Sequence, residues 1–197
     1  MLVLHVDIYT VGVEQNFEGT QYYLIASCGL TGFSVCEDTP RQSAESFAAA
    51  LMKIWLRFGF SHTIVVDKDS KFRATFEQTA ALLKINIHVL SGGNHDPMLV
   101  ERVIRYLNKA LKIFCTERGT VKVALEAILL SLYAWNSAPV PATDLSRSLL
   151  TVGREFQFPI DFCLDKHRSL VSTPDRVTSF AKEQAKLLSA SPFLEST

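Results

Sequence analysis

Ile64-Val65-Val66 runs straight into Asp67-Lys68-Asp69. Three β-branched residues in succession point alternately to opposite sides of a sheet, so a strand made of them is apolar on both faces. The segments on either side have helical spacing instead. Phe47, Leu51, Ile54, Trp55 and Phe58 recur along 42–58, and Gly59 stops that helix. Phe72, Phe76, Ala80 and Leu83 recur along 71–83. A two-sided strand between two amphipathic helices requires a sheet covered by helices.

The remaining pattern fills in that sheet. Residues 2–9 alternate, with Leu2, Leu4, Val6 and Ile8 on one face and Val3, His5, Asp7 and Tyr9 on the other. Tyr22 to Cys28 and Phe33 to Glu37 read as strands joined by the hairpin turn Gly29-Leu30-Thr31-Gly32. Asn86 to Leu90 is a short strand leading into Ser91-Gly92-Gly93-Asn94-His95-Asp96-Pro97. A long helix is predicted over 98–116. A second, over 121–135, is apolar nearly all round and is expected to be buried. A hairpin followed by alternating helices and strands predicts an α/β fold with a mixed sheet between helical layers. Beyond Asn136 the chain is irregular, with Pro139, Pro141 and Pro159, until an amphipathic helix over 174–189 that has Pro174 in its first turn. That helix is expected to pack on the domain as an appendage. The division is a core over 1–160 and an extension over 161–197.

Composition limits the function classes. A chain of 197 residues with 48% hydrophobic and 20% charged residues suits one domain with a substantial core. The formal net charge is zero, so any nucleic-acid footprint must be local. Cys28, Cys36, Cys115 and Cys163 lie far apart without ligand-like spacing, which suggests reduced thiols inside a cell and no structural zinc. The start MLVLHVDIYTV lacks a basic region and is read as a strand rather than a signal peptide. There is no charge-free run of about 20 apolar residues, so no membrane span is expected.

Three acids occur where a packed core would not need them. Asp7 lies inside the first strand, Asp67 ends the central one, and Glu101 opens the long helix just after a glycine loop. Taken singly, Asp67 would cap a turn and Glu101 would favour a helix dipole; Asp7 is harder to explain, because aspartate is depleted in strand interiors. If the first and fourth strands are neighbours, Asp7 and Asp67 lie side by side at a sheet end where ligands bind in open α/β folds. Converging carboxylates repel one another unless a cation intervenes, and hard oxygen donors select Mg²⁺ or Mn²⁺. Two such ions about 3.5–4 Å apart suit in-line phosphoryl displacement. At about 100° per residue, Glu101, Arg105, Asn108 and Lys112 share one narrow stripe of the long helix. The last three are donors suited to phosphate, or else an ordinary solvated face.

The strand aspartate, strand-end aspartate and helix glutamate resemble the acidic triad of the retroviral and retrotransposon integrase catalytic core, a ribonuclease-H-like fold. VVDKDSKF is similar to the family segment in which an aspartate ends a strand and a phenylalanine follows, matched by Asp67, Ser70 and Phe72. MLVERVIRYLNKALK is similar to the family's Glu-Arg helix, with Glu101 and Arg102 in place, and the interval 68–100 is close to the family's. YAWNSAPVPATDLSRSLLTVGREF resembles its downstream segment through Trp135, Asn136, Ser146, Gly153 and Arg154. The resemblance spans roughly 2–160, and the downstream segment points to retrotransposon polyproteins rather than bacterial transposases. Two features depart from the pattern: Asp69 stands where the family has glycine, and the loop before Glu101, which carries His95, is short.

The resemblance implies DNA integration by divalent-metal-dependent cleavage and strand transfer. Asp7, Asp67 and Glu101 would be catalytic and metal-binding, while Arg105, Asn108 and Lys112 would hold DNA phosphate. Residues 91–93 would close on substrate. It also implies a homodimer or higher assembly and nuclear action. The family's zinc-binding amino-terminal and basic carboxy-terminal domains are not in this sequence, which reads as a core from a longer polyprotein. Two other enzyme classes are rivals. A ribonuclease H would use Glu45 at the start of the first helix rather than Glu101. A proofreading-type exonuclease needs Asp-x-Glu where this chain has Asp7-Ile8-Tyr9. A catalytically inert core that binds DNA or protein is the alternative from outside enzymes.

Overall fold

Five strands, β1 (Val3–Val11), β2 (Gln21–Cys28), β3 (Ser34–Thr39), β4 (Thr63–Asp67) and β5 (Asn86–Leu90), form one sheet in the order β3-β2-β1-β4-β5. The computed structural model describes residues 3–12, 20–67, 77, 81, 83–90, 99–118, 124–141 and 143–158. β1 runs antiparallel to β2 and parallel to β4; β3 continues the antiparallel side and β5 the parallel side. The sheet is therefore mixed, and β1 is the strand at which its character changes.

The two faces of β1 separate as the alternation predicts. Leu4 and Val6 join Leu24, Ala26, Ile64 and Val66 beneath α1 (Ala44–Phe58). Val3 and Tyr9 join Tyr23, Ile25 and Val65 beneath α2 (Leu99–Arg118) and α3 (Leu125–Ser137). Helices on both faces make three layers. The start of α1 is fixed by Ser43, whose side chain accepts the Ser46 N–H at 3.2 Å. Its end is fixed by Gly59, at φ 87°, whose N–H bonds the Trp55 carbonyl at 2.8 Å. Phe47, Ala50, Leu51, Ile54 and Trp55 form its buried stripe. Each large apolar side chain in such a stripe contributes about 1.5–3 kcal/mol.

Two expectations change. The helix expected over 121–135 runs over Leu125–Ser137 and is buried only along Ala127, Ile128, Leu132 and Asn136. Leu129 and Leu130, on its other side, remain 48% and 56% exposed. An all-round apolar sequence buries only the side that meets the sheet and α2. β3 also extends past Glu37, because Thr39 still pairs with Tyr22.

The segment after α3 is held back onto the sheet by a polar clamp. The Asn136 side chain accepts the Ser34 N–H at 2.9 Å and donates to the Ser34 carbonyl at 2.8 Å, pairing with the edge strand as another strand would. Trp135 Nε1 donates to the Gly32 carbonyl at 3.0 Å. Gly32 has φ 71°, and a Cβ there would stand 3.2 Å from Arg147 Nε. Arg147 opens α4 (Arg147–Val152), lies 4.2 Å above the Trp135 ring centre and donates to the carbonyls of Trp135 and Ala138. Ser146 caps α4 and Gly153, at φ 77°, ends it. The downstream motif thus has a structural meaning: its Trp135 and Asn136 bind Gly32 and Ser34, and its Ser146 and Gly153 bound α4.

Of the helix expected over 71–83, Glu77, Ala81 and Leu83 are described, and all are helical. Asp69, Ser70, Phe72, the glycine loop 91–93, His95, Cys163 and the helix over 174–189 lie outside the described residues. Cys28, Cys36 and Cys115 are free and buried. No helix among the described residues is long and apolar enough to cross a membrane.

Candidate active site

The parallel pairing of β1 with β4 sets the height of two acids. His5 is level with Val65. Two residues further along each strand stand Asp7 and Asp67, so neighbouring strands present carboxylates at equivalent positions. Asp67 is the exposed last residue of β4, whereas Asp7 is half-buried within β1. Glu101 is the exposed third residue of α2. Its helix is seated on the sheet by Val100, Val103, Leu107 and Leu111, all fully buried.

Asp7 lies in the electrostatic field of the other two acids. Burial is the largest influence on the Asp7 carboxyl, pushing its pKa from 3.8 to about 6. The Ile8 N–H, which donates to Asp7 Oδ1 at 2.7 Å, opposes the rise. The charges of Asp67 and Glu101 both add to it. Glu45 behaves differently. It is fully exposed at the start of α1, and its own backbone N–H and the Ser43 side chain lower its pKa. Among the described residues, the carboxylates that raise Asp7 are those of Asp67 and Glu101. His5, two residues before Asp7, is buried; burial and then the nearby His88 lower its pKa, so it adds no positive charge near neutral pH.

Among the described residues, no three His, Cys, Asp or Glu side chains approach closely enough to hold a metal ion together. Asp7 feels the charges of Asp67 and Glu101, and the three do not form a closed cage. As a donor set they still fit a hard divalent cation: all are carboxylates, two are on rigid strands, and their mutual repulsion is what a cation would relieve.

The predicted stripe on α2 is exposed as expected at Glu101, Arg105, Asn108 and Lys112. Arg102 and Lys109, which the sequence reading left out of the site, are exposed too. With them α2 carries Arg102, Arg105, Lys109 and Lys112 at offsets of three, seven and ten residues, a spacing that repeats on one side of a helix. Asn108 is engaged as well as exposed. Its Oδ1 accepts the Tyr9 hydroxyl at 2.8 Å. Tyr9 is buried, and burial raises its phenol pKa, so it stays protonated and donates.

No family profile matches the sequence, and no curated relative does. Solved structures do match. The HTLV-2 integrase catalytic core domain in complex with magnesium, in its dimeric form, aligns with TM-score 0.58 at 14% identity, covering 74% of this chain and 92% of that one. The trimeric form of the same domain with magnesium aligns at 0.60 and 12% identity, covering 76% and 95%. A chain of the simian T-cell lymphotropic virus intasome in complex with PP2A regulatory subunit B56 gamma aligns at 0.61 and 14% identity, covering 80% of this chain and 56% of that one. At such identities the likeness establishes the fold. This chain has the ribonuclease-H-like fold of retroviral integrase catalytic cores.

Proposed function

We propose that this chain is an integrase-type catalytic core, a polynucleotidyl transferase that cleaves and rejoins DNA phosphodiesters with Mg²⁺ or Mn²⁺. The observation that carries the reading is the placement of Asp7, Asp67 and Glu101, with Asp7 in the field of the other two, in a fold that matches integrase cores. The magnesium in the matched HTLV-2 cores supports the choice of ion. Bound divalent ions supply Lewis-acid activation of the attacking oxygen and charge stabilisation of the leaving one.

The protein's own residues supply position and charge. Asp7 and Asp67 hold their carboxylates on adjacent strands, and Glu101 brings the third from a helix seated on the same face. Arg102, Arg105, Lys109 and Lys112 neutralise backbone phosphates along α2, with Asn108 adding a donor. In the first step water attacks a phosphodiester near the end of an element's DNA, and the broken P–O bond leaves a free 3′-hydroxyl. In the second, that hydroxyl attacks a target phosphodiester, forming one P–O bond as another breaks. The exposed Leu129 and Leu130 are an apolar face for assembly with a second copy, in keeping with the dimeric and trimeric neighbours. A retrotransposon source and action in the nucleus complete the reading.

The test is an assay of the purified chain with Mn²⁺ on a branched DNA that mimics the integration product. Metal-dependent resealing or cleavage, lost in Asp7→Asn and Glu101→Gln but kept in Glu45→Gln, is the expected result. Activity lost in Glu45→Gln and kept in Glu101→Gln would replace integrase with ribonuclease H. The open spacing of the three acids favours a second reading, an inert core that binds DNA or protein. Failure to take up Mn²⁺ at millimolar concentration would decide for it.

A further inference from the structure

Tyr9 and Asn108 are separated by 99 positions in sequence, yet their side chains meet in a 2.8 Å hydrogen bond. Tyr9 follows Asp7 by two residues and so shares its face of β1. Asn108 lies two turns along α2 from Glu101, on the same stripe. The bond therefore ties the strand that carries one acid to the helix that carries another.

Its surroundings give it leverage. Tyr9 is 4% exposed, and its neighbour across the sheet is Tyr23. The Tyr23 hydroxyl donates to Gln21 Oε1 at 2.6 Å, and the same oxygen accepts the Ala124 N–H at 3.0 Å. Two adjacent tyrosines thus reach from the sheet to its covering helices, one to the middle of α2 and one, through Gln21, to the start of α3. Val100, Val103, Leu107, Leu111 and Cys115 of α2 are buried in one apolar cluster with Tyr9, Ile25 and Val65 of the sheet. Apolar packing is non-directional and resists separation more than sliding. The part-buried Tyr9–Asn108 hydrogen bond has a narrow range of length and angle, so it restrains where the helix sits along its own axis.

We infer that Tyr9 is a positioning residue of the divalent-cation site: through Asn108 its hydroxyl sets the axial position of α2, and with it the separation of the Asp7 and Glu101 carboxylates. The inference rests on the reading of those acids as metal ligands. Small displacements matter there, because Mg²⁺ accepts only a narrow range of coordination geometry.

The test uses the full chain and reads metal uptake rather than turnover. Tyr9→Phe deletes one oxygen and keeps the ring; Asn108→Leu breaks the same bond from the other end. Free Mn²⁺ is titrated by electron paramagnetic resonance, and thermal melting is recorded on the same samples. Both variants should raise the Mn²⁺ midpoint about tenfold, as loss of an outer-shell partner does at metal sites. The double variant should go no further than either single one. An unchanged midpoint in Tyr9→Phe, with only a lower melting temperature, would make the bond a packing feature and overturn the inference. A shift in Asn108→Leu without one in Tyr9→Phe would overturn it too, by assigning the effect to Asn108 alone. Wild-type protein that takes up no Mn²⁺ would bring down both this inference and the functional reading. Wild-type uptake with unaltered variants would bring down the inference only.

Discussion

Replacing Asp7 by Asn should stabilise the metal-free protein while abolishing the proposed metal site. The substitution is clean, because Asn keeps the oxygen that accepts the Ile8 N–H at 2.7 Å and loses only the charge. In the folded chain Asp7 ionises at about 6 rather than 3.8. Between those values the folded protein holds a proton that the unfolded chain has released, so stability falls as pH rises through the interval and stays lower above it. About two pH units at about 1.36 kcal/mol each set a ceiling near 3 kcal/mol. Asp7 is only half-buried, and solvent relaxation reduces this to about 1–3 kcal/mol, or about 2–10 °C in melting temperature for a domain of this size. Urea denaturation in chelator, over roughly pH 4 to 8, should give wild-type and Asp7→Asn curves that nearly coincide at the acid end and separate through pH 6. Adding Mn²⁺ should stabilise the wild type and leave the variant unchanged. An Asp7→Asn protein no more stable than wild type at the alkaline end would refute the argument that burial and two neighbouring carboxylates act on Asp7.

Two further outcomes can be checked independently. Asn136→Ala strips both partners from the backbone of Ser34, which is 1% exposed. The urea midpoint should fall by an amount worth about 2–5 kcal/mol, and a loss under about 1 kcal/mol would count against the clamp. Arg105→Ala and Lys112→Ala should each weaken DNA binding regardless of sequence and reduce the slope of log affinity against log salt by about one. Lys53→Ala should leave that slope alone, since Lys53 lies on α1 and pairs with Glu37 at 3.9 Å.

What the sequence makes legible follows from how local the cause is. β4 and β5 match their expected limits because β-branched and apolar runs end there in abrupt polarity changes. α1 ends where Gly59 ends it. The acids could be singled out because each breaks a local rule, Asp7 most plainly as a charge inside a strand. The one-sided burial of the helix Leu125–Ser137 is not legible in its sequence, because periodicity reports which residues are apolar, not what stands opposite them; Leu129 and Leu130 read the same as Ile128. Asn136 was matched as a motif member, while its pairing with Ser34, 102 positions away, has no local signature. The link between Tyr9 and Asn108 is hidden for the same reason. Its available hint was a tyrosine near the end of a strand on the face that carries Asp7. Arg147, only 8% exposed, defies the expectation that arginine stays at the surface. Its burial rests on Trp135 and on carbonyls at the end of α3, which only the fold brings within reach.

The central position of β1 also governs when the site comes into being. The meander β1-β2-β3 pairs within residues 3–39, each strand beside the next in sequence. Its contacts close short loops, the fast kind of contact in folding. The parallel neighbour of β1 is β4, which arrives only after α1 has crossed the sheet, and Glu101 follows β5. Asp7 is thus placed early in a half-sheet that contains neither of the other acids. All three carboxylates are in place only when the slow, long-range half of the topology has closed. On the proposed reading, ion binding is then a property of the finished sheet alone, and a chain halted at the meander stage has one of the three proposed ligands.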